Sequence, residues 1–175
     1  IAGQGHLPLQ VARAADERGF DVVIFAIEGQ ADAVFNDFVV QPVRLGAIGQ
    51  IRSFLSHHDC LQVVMVGKVV WPSLGALRPD AVGMKLLGKL IKRGDDSVLR
   101  VISQFFAEDG VKTLPVNMFL QEHVMPSGHV AGPGVDYYGE SQIEIGVSIL
   151  NKLGACDVGQ SVIVQNGRVL AVEAA

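Results

Sequence analysis

Apolar positions in the first two thirds of the chain switch repeatedly between helical and strand-like spacing. Leu9, Val11, Ala12 and Ala15 recur at helical intervals, and Arg18 with Gly19 supplies a C-terminal stop. Asp21 to Ile27, unbroken in its apolar residues from Val22 on, then reads as a strand of the kind buried on both faces of a sheet. Strand-like residues return at 38–45, where Pro42 predicts an edge or irregular strand. A helix opening at Gly46 carries Ile48, Ile51, Leu55 and His58 on one face, and a further strand follows at 61–66. This alternation predicts an α/β unit with a parallel sheet and helices on both sides.

After a long loop at 67–80, residues 83–93 split into an apolar face (Leu86, Leu87, Leu90, Ile91) and a basic face (Lys85, Lys89, Lys92). The next helix, over 94–110, has Val98, Leu99, Ile102, Phe105 and Phe106 on its apolar side and Gly110 as its stop. A strand is predicted over 111–119. Periodicity then fades through the Gly- and Pro-rich stretch 121–140, which marks a linker or boundary. Beyond it, a helix spanning Ile143 to Leu153 and a hairpin turning at Asn166 and Gly167 form a different pattern from the first half.

Composition narrows the class. The 175 residues are 49% apolar and 18% charged, enough for a sizeable core and unlike a disordered chain. The apolar runs are short for a membrane span, so a soluble, cytoplasmic protein is expected. A net charge of −4 gives no general basis for nucleic-acid binding. Cys60 and Cys156 are widely separated and are expected to be reduced, packed thiols.

Candidate chemistry begins at the chain start. Gly3 and Gly5 suit a strand-to-helix turn, Pro8 suits the first helical turn, and such a helix start is a phosphate cradle. The dinucleotide fingerprint stops at its second glycine because Pro8 stands where the third belongs, although Glu28 ends the second strand where a ribose-binding acid would sit. Lys68 follows a buried strand and Gly67, within reach of a phosphate or exposed on its loop. Trp71 and Pro72 offer an apolar wall or core packing. Asp95 and Asp96 admit two readings, a helix cap or carboxylate ligands for Mg²⁺. His123 and His129 are read as loop histidines, and His57 with His58 as a helix end.

Several motifs then fall in one order: GQGHLP at 3–8, VGK at 66–68, WPSL and RPD within 71–80, GDDSVLR at 94–100, DVGQ at 157–160 and VEA at 172–174. Together they resemble the LpxI-type UDP-2,3-diacylglucosamine pyrophosphatases of lipid A biosynthesis. The resemblance implies a Rossmann-like N-terminal domain over 1–120, a linker over 121–140, and over 141–175 the start of a smaller α+β domain, truncated here. It implies Mg²⁺-dependent hydrolysis of a lipid-linked UDP-sugar, held between the domains, to UMP and 2,3-diacylglucosamine 1-phosphate. It points to Asp95, Asp96 and Lys68 for catalysis, with Asp95 and Asp96 as the metal ligands. Gly3, Gly5, Gly67, Lys68, Asp157, Gln160 and Glu173 are its substrate-binding positions. It leaves open a homodimer and a peripheral contact with the inner membrane surface, and offers no role for nucleic acid. The family pattern runs on past VEA, so part of the machinery is expected beyond Ala175. A nucleotide-sugar or phosphate-ligand binding module without catalysis is the alternative, and an NAD-dependent oxidoreductase is disfavoured by Pro8.

Overall fold

A computed structural model describes residues 1–70, 77–93, 98–156 and 158–174. The chain divides into two compact units, Ile1–Val124 and Met125–Ala175. In the first, α1 (Leu7–Asp16) leads into β1 (Val23–Ile27), β2 (Val39–Val43), α2 (Ile48–His57) and β3 (Gln62–Val63). Then come α3 (Ala81–Arg93), α4 (Val98–Glu108) and β4 (Lys112–Thr113), with 3-10 turns at Val116–Met118 and Gln121–His123.

β1 pairs with β2 and β3 with β4, both in parallel. The chain start joins these pairs, because Ala2 bridges Ala26 and Val66 in parallel. Ala2 N donates to Phe25 O, Ile27 N to Ala2 O, Gly3 N to Val66 O and Val66 N to Ile1 O. The lateral order is therefore β2, β1, residues 1–3, the β3 segment, then β4. β2 lies at one edge, where Pro42, lacking an N–H, faces Ala26.

Alternation along β1 sorts its side chains between two layers. Ile24 and Ala26 join Ala2, Ala12 and Phe35 on the α1 side, while Phe25 and Ile27 join Ile48, Ile51, Leu55 and Phe106 on the other. Val11 and Ala15 of α1 also meet Leu114, Phe119 and Leu120, so α1 covers the far end of the sheet as well. Phe106 and Val43 are the largest fully enclosed side chains among the described residues.

Three elements differ markedly from the sequence reading. The strand expected over 61–66 is regular only at Gln62–Val63, with Val66 joining the sheet through its bridge to Ala2. The strand expected over 111–119 is only two residues long, because Pro115 (φ −76°, ψ 145°) has no N–H for a ladder and instead precedes the Val116–Met118 turn. The late helix, α5 (Tyr137–Ala155), starts earlier than Ile143: Asp136 accepts from Gly139 N at 2.7 Å and caps it.

In the second unit, α5 packs on a hairpin of β5 (Val162–Gln165) and β6 (Arg168–Val172). Gly146, the buried position of α5, faces Val162 and Val164. Asn166 (φ 52°) and Gly167 (φ 70°) both take the left-handed conformation that a tight hairpin turn requires. Cys60 is half-buried and Cys156 exposed, both free, so packing describes the first thiol only.

Candidate functional site

Open parallel sheets offer ligand contacts beyond the carboxyl ends of their strands. Three loops meet there: the turn at 3–5, the segment at 28–32 and the loop at 67–70. Gly3 and Gly67 touch backbone to backbone. A Cβ on Gly3 would stand 2.5 Å from Lys68 O, and one on Gly67 (φ +98°) would stand 2.8 Å from Gln4 O. Across this contact Gln4 N donates to Lys68 O (2.8 Å) and Lys68 N to Gln4 O (3.1 Å). Glycine at both positions is what lets the two loops approach so closely.

The 28–32 segment secures both neighbours. Gln30 Nε2 donates to Val70 O at 2.9 Å and Val70 N donates to Gln30 Oε1 at 2.7 Å. Two residues on, Asp32 Oδ1 accepts from Gly5 N at 2.7 Å. An internal carboxylate thus takes the Gly5 amide at the start of α1, and the Gly3 amide belongs to the sheet ladder. The Lys68 side chain, by contrast, is exposed at this edge, and among the described residues only its backbone is engaged. This edge therefore presents the exposed Lys68 side chain on a backbone bonded on both sides.

Glu28, the ribose candidate, is exposed, and its own N–H donates to Val43 O. Nearby, Asp80 of the RPD motif serves two helix starts at once. Its Oδ1 accepts from Gly83 N (2.7 Å), capping α3, and its Oδ2 accepts from Gln50 N (3.1 Å) in the first turn of α2.

Gln160 and Glu173, far apart in sequence, are brought together in the second unit. Gln160 N donates to Glu173 Oε2 at 2.9 Å, and Glu173 N donates to Ser161 O at 2.9 Å. The Gln160 amide, then the Ser161 side chain, hold the Glu173 carboxyl below its ordinary value. Gly159 lies so close to the Glu173 carbonyl that a Cβ there would collide with it. Asp95, Asp96, Asp157, Trp71 and Pro72 lie outside the described residues. Among the described residues, no group of three or more His, Cys, Asp or Glu is arranged to hold a metal ion.

Among the cavities lined by described residues, two flank the sheet. The larger, about 560 Å³, lies under α1 at the amino ends of the strands, lined by Ala12, Ala15, Cys60 and Leu114, away from Lys68. The smaller, about 310 Å³, opens at the carboxyl ends between α2 and α4. No helix among the described residues is long and apolar enough to cross a membrane.

Sequence reasoning singled out Lys68 and the glycines but passed over Gln30, Asp32 and Arg44, whose partners or cavity walls are distant in the chain. Asp80 did carry a local signal, an acid immediately before a helix start.

These features define a two-unit α/β protein with a lysine loop and a glycine turn interlocked at the carboxyl edge of a parallel sheet. The chain belongs to the LpxI family: residues 1–123 match the LpxI N-terminal domain and residues 126–175 the LpxI C-terminal domain. It is 30% identical, over 179 aligned residues covering 99% of this chain, to a protein of Caulobacter vibrioides named UDP-2,3-diacylglucosamine pyrophosphatase LpxI. The chain spans 63% of that relative's length.

Proposed function

We propose that the protein hydrolyses the pyrophosphate bond of UDP-2,3-diacylglucosamine, giving UMP and 2,3-diacylglucosamine 1-phosphate in lipid A biosynthesis. The observation that carries this reading is the match of both LpxI domains in sequence along the chain, joined to a relative with that name. The parallel order β2, β1, residues 1–3, β3 and β4 supports a Rossmann-like first domain, whose ligand edge holds Lys68.

Cleaving a pyrophosphate diester requires neutralising charge on non-bridging oxygens, placing a water and stabilising a leaving phosphate. In this reading Lys68 meets the pyrophosphate as a point charge, with Gly3, Gly5 and Gly67 shaping the loops around it. Asp157, Gln160 and Glu173 belong to substrate binding. Mg²⁺ dependence, with Asp95 and Asp96 as its ligands, rests on the family resemblance alone. A cytoplasmic location, peripheral contact with the inner membrane surface and a homodimer are part of the same proposal.

The test is UMP release from UDP-2,3-diacylglucosamine by the protein at its full native length, with Mg²⁺ and with a chelator. Release that the chelator abolishes is the expected outcome. Binding of the UDP-lipid without UMP would assign a nucleotide-sugar binding module instead. Asp95→Asn and Asp96→Asn are expected to differ, because Asn caps a helix nearly as well as Asp yet is a poorer metal ligand. Full turnover in both variants would remove the pair from the catalytic residues.

A further inference from the structure

We infer that the 310 Å³ cavity at the carboxyl edge of the first unit is a binding site for one aliphatic chain of an anionic amphiphile, with Arg44 receiving the head group. The assignment rests on the activity proposed above where it names an acyl chain of the substrate as the occupant.

The floor of the cavity is the core itself: Val43 and Phe106, almost fully enclosed, with Ile27 beside them. Its upper wall carries Ile102 and Leu99, the latter 59% exposed although it lines an apolar space. Among the described lining residues Arg44 is the one charged side chain. It is exposed, and it follows the last residue of β2.

This composition discriminates between ligands. A base or sugar brings hydrogen-bonding groups that these walls leave unpaired, and burying them unpaired is unfavourable. A hydrocarbon chain brings none. The volume lies near the lower end of the range for small-molecule sites, which suits one chain and not a whole glycolipid. The mouth also lies on the same sheet edge as Lys68, since Gly3 and Gly67 of the interlocked loops line it. A chain inserted here leaves its polar head at the edge where Arg44 and Lys68 are exposed, with Glu28 and Asp32 in the neighbouring loop.

The test uses the full-length protein and a homologous series of n-alkyl phosphates, titrated calorimetrically below their micelle concentrations. Affinity is expected to rise about fourfold per added methylene until the cavity is full, then level off. Leu99→Trp, at a position exposed enough to accept the larger ring, should shorten the chain length at which affinity levels off and leave UMP affinity unchanged. Met125→Trp, in the other unit, is the control and should do neither. Arg44→Gln should weaken every alkyl phosphate about tenfold or more while leaving the matching alkanols unaffected. A flat chain-length profile, or one that Leu99→Trp does not alter, overturns the assignment. The two readings fail separately. If alkyl phosphates show the slope but no UMP is released from the UDP-lipid, the cavity stands and the activity falls. If UMP is released and the slope is flat, the reverse holds.

Discussion

Gln30 and Val70 exchange two hydrogen bonds, the carboxamide of one serving both backbone groups of the other as a strand neighbour would. The side chain thereby replaces a missing stretch of ladder and fixes the loop that carries Lys68. Gln30→Ala is expected to lower stability by about 1 kcal/mol, since each exposed bond contributes little net. It should weaken UMP binding by more than that loss of stability explains. Gln30→Glu, which can accept from Val70 N but cannot donate to Val70 O, should fall between the two. Urea titrations and calorimetry with UMP separate the effects, and wild-type affinity in Gln30→Ala would show that the loop is held adequately without it.

Lys68→Ala should weaken UMP binding about 10- to 100-fold, the size of a charge-assisted hydrogen bond to phosphate. Its melting temperature should barely change, because the side chain is exposed. Unaltered affinity would leave Lys68 an ordinary loop lysine.

Asp80→Ala removes the acceptor from two helix starts and should cost about 2 kcal/mol or more, beyond the usual loss of one cap. Asp80→Asn keeps one strong acceptor, so it should cost distinctly less. Equal midpoints in denaturant for both variants would show that the second contact, to Gln50, contributes nothing.

Gly67→Ala puts a side chain on a residue with φ +98° and drives it toward Gln4 O. A loss of about 1–3 kcal/mol follows from the backbone conformation alone, with the collision added to it. The same change at Gly5 (φ +95°) meets open space, so only the conformational part applies. The difference between the two midpoints measures the collision.

Glu173 makes the second unit sensitive to acid. Its folded carboxyl titrates below the ordinary value, so the protein gains stability from it above the unfolded glutamate range. That gain is lost as pH falls through the lower, folded value. Protection of the Gln160 amide, measured relative to its intrinsic exchange rate at each pH, should fall as the carboxyl protonates, and Glu173→Gln should remove this change in protection. Identical protection at Gln160 across that range in the native protein would contradict the assignment.

Local signals carried α1, β1 and the hairpin turn into the sequence reading. Leu9, Val11, Ala12 and Ala15 share a face, 23–27 is an unbroken apolar run, and Asn166 with Gly167 selects the turn. Pro115 was a local signal too, but the apolar residues after it, through Phe119, read as a continuing strand. Asp136 was obscured in a similar way, because Gly139 and two tyrosines interrupt the helical pattern of the first turns of α5. The bond of Gln160 to Glu173 follows from the hairpin register about Asn166 and Gly167, but those of Gln30 to Val70 and Asp32 to Gly5 left no trace in sequence. Each of these two depends on chain closure across many residues, and no spacing rule encodes it. For the candidate site, sequence legibility reached Lys68 and the glycines at 3 and 67. The acids at 95, 96 and 157 lie outside the described residues.

The reciprocal contact of Gln4 with Lys68 has a kinetic consequence. Each amide donates to the other's carbonyl with no side chain between them, so neither hydrogen bond opens far without disturbing its twin. Solvent exchange at the two amides should therefore proceed as a single correlated event with one opening rate. An arriving ligand meets the same constraint. The glycine turn and the lysine loop should therefore move together, and a substitution that slows opening at one amide is expected to slow it at the other.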